Sequence, residues 1–224
     1  SMGEPARRFA DFLQQAGQAC WQLLPVCPTS YGDSPYQSFS TYAGNPYFID
    51  LDELERQGYL RREEYENIDW ECGPDRINYG VLYEKRYPVL EKAAERFREN
   101  PPGDYETFCR ENARWLDDYA CFMALKDAHG GAPWFDWEPA LRNREEQALE
   151  EACARYAEQI EFWKICQYLF FEQWKALRSY VNERGIRIIG DLPIYVSLDS
   201  VDVWAHPELF QLDENKVPRE VSGC

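Results

Sequence analysis

The sequence predicts an α/β fold in which two short strands of a larger barrel flank a long helical insertion. Three observations carry that prediction. An amphipathic stretch at residues 4–17 runs straight into an apolar strand at 19–24. A second apolar strand, Ile186-Arg187-Ile188-Ile189, enters a loop at Gly190-Asp191. Between them, residues 52–185 carry helical periodicity and little strand signal. Parallel strands are normally covered on both faces, so neither strand can be satisfied alone.

The elements follow in order. Ala6, Phe9, Ala10, Phe12, Leu13 and Ala16 fall on one side of a helix that Gly17 ends. Pro25 and Pro28 stop the strand after it. An aromatic loop runs from Ser30 to Tyr47, and Phe48-Ile49-Asp50-Leu51 reads as a brief extended piece. Short helices are expected over 52–56 and 62–67. Asn78 caps a helix to about Glu99, which Pro101-Pro102-Gly103 breaks. Asp104 caps the next, reaching Ala128 before Gly130-Gly131. Residues 144–184 form a long amphipathic stretch of one helix or two. Ser200 caps a short helix through Val203 and Trp204, and Asp213-Glu214-Asn215-Lys216 reads as a turn. The expected domains are a barrel part at 1–51 with the aromatic loop, a helical insertion at 52–185, and a second barrel strand with its following loop at 186–224.

Composition narrows the function. With 24 basic and 40 acidic residues the net charge is −16. A phosphate backbone or an anionic membrane surface would be repelled, so no nucleic-acid or membrane partner is expected. A neutral ligand is indifferent to that field. No apolar run approaches the ~20 residues of a membrane span, and the first residues do not resemble a signal peptide. Eight cysteines are scattered singly with no C-x-x-C pair, and there are only two histidines. Buried, reduced thiols in a cytoplasmic protein are the expected state, with no metal site. Phosphate-loop and dinucleotide fingerprints are absent, so no cofactor is expected.

The loop from Ser30 to Tyr47 combines aromatic rings, hydroxyls and an amide with chain-bending Gly and Pro. Rings can stack on the apolar faces of a pyranose while hydroxyls and amides meet its rim. The same residues could instead close a barrel mouth by plain packing. Asp191 stands where a strand gives way to a loop, the usual place for a functional carboxylate in a barrel, or for a turn-stabilising one. Paired acids such as Glu145-Glu146 and Glu150-Glu151 read as solvated helix faces. His129, at a helix end, reads as a cation favoured by the helix dipole.

Three segments resemble the amylomaltases, or 4-alpha-glucanotransferases. The first is Trp21-Gln22-Leu23-Leu24-Pro25 with Tyr31-Gly32-Asp33-Ser34-Pro35-Tyr36-Gln37-Ser38 and Gly44-Asn45-Pro46-Tyr47. The second is Gly190-Asp191-Leu192-Pro193-Ile194-Tyr195-Val196 with Asp199-Ser200 and Asp202-Val203-Trp204. The third is Pro207-Glu208-Leu209-Phe210 with Leu212-Asp213. The resemblance implies part of a (β/α)8 TIM barrel of the α-amylase clan, with about two of its strands here. It implies α-1,4-glucans and maltooligosaccharides as partners, and a retaining transfer to the 4-OH of another sugar through a covalent glycosyl intermediate. By the same resemblance Tyr36 stacks on the sugar at the cleavage subsite, and Ser34 and Asp191 hydrogen-bond there. Tyr31 serves a more remote glucan contact.

Family members carry a first barrel strand before the turn that Ser1-Met2-Gly3-Glu4 resembles, and Val221-Ser222-Gly223-Cys224 resembles the start of a glucan-gripping loop. The Arg-x-Asp nucleophile strand, the acid/base glutamate and a later His-Asp pair have no counterpart here. The expectation is therefore an N-terminal-side fragment with no catalytic residue of its own, inactive in isolation. Two alternatives stand beside the transferase. A hydrolase of the same clan would only shorten glucans, and a non-catalytic glucan-binding protein would hold them without turnover.

Overall fold

The computed structural model describes residues 1–30, 32–71, 73 and 76–220. Eight α-helices and two strands are found among them, so the chain is an α/β protein dominated by helices. In order they are α1 (Glu4–Gln15), β1 (Cys20–Gln22), α2 (Leu51–Arg56), α3 (Tyr79–Glu99), α4 (Tyr105–Ala128), α5 (Pro139–Arg142), α6 (Glu146–Arg155), α7 (Ala157–Glu183), β2 (Arg187–Ile189) and α8 (Val201–Ala205). The chain forms two compact units. One comprises residues 1–26, 44–110 and 165–191; the other comprises 27–43, 111–164 and 192–224.

In the first unit β1 and β2 pair in parallel, Trp21 opposite Ile188. The Arg187 N–H donates to the Ala19 carbonyl and the Leu23 N–H to that of Ile189, both at 2.9 Å, which extends the ladder. The two strands expected to be neighbours are therefore adjacent although 164 residues separate Gln22 from Arg187. β1 is shorter than the expected 19–24 and stops at Gln22, ahead of Pro25. Helix α1 stops at Gly17, whose φ of +69° only glycine adopts freely. The α1 ring of Phe9 meets Trp21 edge-on at 5.1 Å.

The later part of α7 holds this unit together. Ile165, Leu169, Phe170, Leu177 and Val181 are buried. Phe97, Tyr105 and Tyr168 meet edge-to-face at 4.9–5.5 Å, a favoured arrangement for aromatic quadrupoles. Two buried glutamines on α7 pin the segment leading into α2. The Gly44 N–H donates to Gln167 Oε1 at 2.7 Å, and Gln167 Nε2 returns a bond to the Gly44 carbonyl at 2.9 Å. Gln173 does the same with the peptide groups of Asp50, at 2.6 and 3.2 Å. Gly44 must be glycine here, because a Cβ would lie 2.0 Å from the Phe170 ring.

Several local expectations change. Residues 46–48 form a 3₁₀ turn and not an extended piece, because the Asn45 carboxamide accepts from the Tyr47 N–H at 2.9 Å. Asp50 then caps α2 through the Glu53 N–H. Asn78 caps α3 as expected. The Asp104 carboxylate accepts from the Tyr168 hydroxyl at 2.7 Å, a tertiary bond that its local sequence does not announce. The stretch at 144–184 is two helices, broken at Tyr156.

In the second unit Phe122 on α4 packs against Trp137 and Trp204, with centroids at 5.5 and 5.7 Å. Three buried indole N–H groups find carbonyls, Trp134 donating to Leu198, Trp137 to Ala132 and Trp204 to Leu141, at 2.6, 3.1 and 3.0 Å, while Trp163 donates to Asp127 Oδ2 at 2.8 Å. Lys126 is buried, and its Nζ meets Asp199 Oδ2 at 2.6 Å and lies 4.8 Å from the centre of the Phe39 ring. A buried ammonium needs that carboxylate and those rings to offset lost hydration. His129 Nδ1 lies 2.7 Å from the Leu125 carbonyl and Nε2 lies 2.8 Å from Glu138 Oε2, while the ring stacks on Trp137. The His129 bond holds the Glu138 carboxyl below its ordinary range.

The cysteines are not uniformly buried. Cys121 and Cys166 are; Cys27 and Cys109 are partly so; Cys20 and Cys153 are exposed. Cys20 is exposed on a strand whose residues alternate between exposed and half-buried. Cys72 and Cys224 lie outside the described residues.

Candidate functional site

The aromatic loop of the second unit is a small hairpin with a pinned base. Thr29 and Ser38 form an antiparallel bridge, and the Ser30 N–H donates to the Gln37 carbonyl at 2.9 Å. Two turns build the tip. The Asp33 N–H donates to Ser30 O and the Gln37 N–H to Ser34 O, each at 3.1 Å. Asp33 takes a φ of +56°, which aspartate tolerates better than most residues. Its carboxyl is held above the usual range by partial burial. Ser34 and Tyr36 are brought together at this tip: Ser34 Oγ accepts from the Tyr36 N–H at 3.3 Å. Tyr36 remains 46% exposed, a large ring on the surface of a fixed loop.

Hydroxyls and one carboxylate tie the base down. Ser38 Oγ lies 2.6 Å from the Pro28 carbonyl and accepts from the Ser40 N–H at 3.1 Å. Ser40 Oγ accepts from the N–H groups of Tyr42 and Ala43, both at 3.2 Å. Asp202, in the first turn of α8, takes the Thr41 N–H on one oxygen at 2.9 Å and the Thr41 hydroxyl on the other at 2.7 Å. The Val201 N–H adds a bond to the Phe39 carbonyl at 2.9 Å. Burial, helped by the nearby Asp202 charge, pushes the Cys27 thiol up to about 11, so it stays protonated at neutral pH. The Ser200 hydroxyl caps α8 as expected, accepting from the Val203 N–H at 3.4 Å.

Asp191 belongs to the first unit. It follows the C-terminal end of β2 and is partly exposed. The loop bearing Ser34 and Tyr36 follows the C-terminal end of β1, and the two strands are parallel. Tyr31 lies outside the described residues, as does the 221–224 segment. Sequence reading assigned no role to Thr41 and Asp202, although Asp202 stands in one of the matching segments. Their 161-residue separation hid the contact, and the only available signal was the position of Asp202 in a helix first turn.

Among the described residues no group of three or more His, Cys, Asp or Glu side chains could hold a metal. No helix among them is long and apolar enough to cross a membrane.

Comparison with known proteins places these features in context. A family model described as 4-alpha-glucanotransferase matches residues 1–224. A 4-alpha-glucanotransferase of Thermus thermophilus is 50% identical over 99% of this chain and 44% of its own length. One of Clostridium butyricum is 43% identical over 100% of this chain and 46% of its own. The solved amylomaltase of Streptococcus agalactiae in complex with acarbose superposes with a TM-score of 0.93 at 44% identity, covering 96% of this chain and 44% of that one. The chain thus spans less than half the length of these relatives.

Proposed function

Because the chain belongs to the 4-alpha-glucanotransferase family, we propose that its protein transfers a segment of an α-1,4-glucan to the 4-OH of glucose or of another glucan, by retaining double displacement. The two strands are read as neighbours in a partial (β/α)8 barrel, with residues 52–185 as an insertion between them. The parallel pairing of β1 with β2 supports this reading. Sites in such barrels form beyond the C-terminal strand ends, where both candidate segments begin.

Within that reading Tyr36 offers its ring to the face of a glucose unit and Ser34 hydrogen-bonds a hydroxyl there; Asp191, in the first unit, hydrogen-bonds a sugar hydroxyl. Tyr31 serves a second, remote contact. The observation that carries the assignment is an exposed aromatic ring on a hairpin whose base is fixed by at least five hydrogen bonds. Such a platform loses little freedom when a sugar stacks on it. The acarbose bound by the Streptococcus agalactiae relative supports an oligosaccharide ligand. A neutral glucan is also compatible with the net charge of −16.

Retention needs two carboxylates, a nucleophile and an acid/base, and no metal or organic cofactor. Neither role is assigned to a residue of this chain; both go with the part of the relatives that it does not span. Six thiols with no disulfide among them fit a reducing, cytoplasmic setting.

The test has two arms. The 224-residue chain, titrated with maltooligosaccharides, should bind them and release no glucose. In the protein that also carries the two carboxylates, maltotriose should yield glucose together with longer oligomers. Shortened products alone would mean hydrolysis and would overturn the transferase reading.

A further inference from the structure

In the second unit, α4 and α6 bring two thiols face to face. Cys121 Sγ lies 3.6 Å from Cys153 Sγ. Cys121 is 8% exposed, on the inner side of α4, and Cys153 is exposed on α6. A disulfide needs its sulfurs about 2.05 Å apart, so closure requires them to move by roughly 1.5 Å, within reach of small side-chain rotations.

We propose that Cys121 and Cys153 form a reversible dithiol–disulfide site, oxidised by hydroperoxides through Cys153. The exposed thiol meets the oxidant. Its thiolate attacks the peroxide oxygen and the O–O bond breaks. With one proton taken up, the alcohol (or water, from hydrogen peroxide) leaves and Cys153 becomes a sulfenic acid. The Cys121 sulfur then attacks the Cys153 sulfur. The S–S bond forms as the S–O bond breaks, and the thiol proton leaves with the hydroxide as water. Two electrons pass from the thiol pair to the peroxide, and a dithiol reductant returns them by exchange.

The division of labour follows from the surroundings. Burial, and then the neighbouring Cys153, push the Cys121 thiol up to about 12. Cys121 is therefore a poor first target for an oxidant in solution. Its placement suits the second, intramolecular step, where proximity substitutes for thiolate population. Of the ion pair beside it at 2.5 Å, Arg144 favours the Cys121 anion and Asp118 opposes it. The bond would tie α4 to α6 across an intervening stretch that contains α5, stabilising this unit by constraining its unfolded chain. This inference is independent of the glucan reading.

The experiment is a peptide map of the purified protein after a small excess of hydrogen peroxide, with free thiols alkylated in denaturant before trypsin. The expected result is a linked pair of peptides 115–126 and 145–155. It should weigh about 2 Da less than their sum and separate on treatment with a dithiol. Melting of the oxidised protein should rise by about 5 °C. In C121S, Cys153 should proceed to sulfinic acid, because nothing resolves the sulfenic acid. The proposal is overturned if Cys121 is still alkylated after oxidation of the natural sequence, whether Cys153 is then intact or a sulfinic acid. A disulfide that joins either thiol to a different cysteine would overturn it equally.

Discussion

The Asp202 carboxylate holds Thr41 with both of its oxygens, one on the backbone N–H at 2.9 Å and one on the hydroxyl at 2.7 Å. A helix first turn thereby fixes the base of the hairpin that carries Ser34 and Tyr36. Hydrogen bonds to an ionised group contribute more than neutral ones. D202A should therefore destabilise the protein by about 2 kcal/mol. If the hairpin binds glucan as proposed, D202A should also weaken maltooligosaccharide binding several-fold. Urea unfolding and calorimetric titration on the same preparation check both. An unchanged affinity alongside the stability loss would detach Asp202 from the proposed binding loop.

The role of Tyr36 separates from folding. The residue is half exposed, so Y36A should change stability by about 0.5 kcal/mol or less. Stacking of a sugar on its ring predicts a loss of about tenfold in maltooligosaccharide affinity, or ~1.4 kcal/mol. Y36F should keep most of it, because the ring face remains. Calorimetric titration of both variants decides; equal losses in the two would assign the contact to the hydroxyl.

Gly44 is required by space and not by backbone conformation. A Cβ there would meet Phe170 at 2.0 Å, on a peptide held by Gln167, a side chain with no exposure. G44A should cost about 2–3 kcal/mol through overpacking. F170L in the same chain should recover part of that loss in a thermal melt. No recovery would place the clash elsewhere.

One ion pair predicts an acid response. Arg96 meets both oxygens of Glu64, at 2.7 and 2.8 Å, and also donates to the Tyr59 carbonyl. The Arg96 hydrogen bonds hold the Glu64 carboxyl at about 2, against an ordinary value of 4.5. A carboxyl depressed by folding stabilises fully above its unfolded value and loses that contribution as pH falls toward its folded one. The urea midpoints of the natural sequence and E64Q should therefore differ at pH 7 and converge between about pH 4.5 and 2. A gap that stays constant with pH would mean the charge on Glu64 is not what stabilises.

Much of the fold was legible because its signals are local. Gly17, Asn78 and Ser200 act within one turn of chain, and each ends or begins a helix where the sequence placed it. The break at Tyr156 was not fixed by any such residue, and the amphipathic pattern runs through it. At 48–51 the apolar letters suggested an extended piece, but Asn45 and Asp50 side chains capture nearby N–H groups and curl the chain. The candidate site divides in the same way. Ser34, Tyr36 and Asp191 were nameable from their segments, whereas Thr41 with Asp202, and Gln167 with Gly44, join residues more than 120 positions apart.

By itself the sequence determined the family, the helical character and the hairpin residues proposed to meet a glucan, because propensity, capping and composition are properties of neighbouring letters. Only the tertiary structure decided the register of β1 against β2, with Trp21 opposite Ile188, that Asp202 secures Thr41 and that Cys121 faces Cys153. These contacts depend on how buried surfaces close over long loops, and no short window of sequence contains both partners.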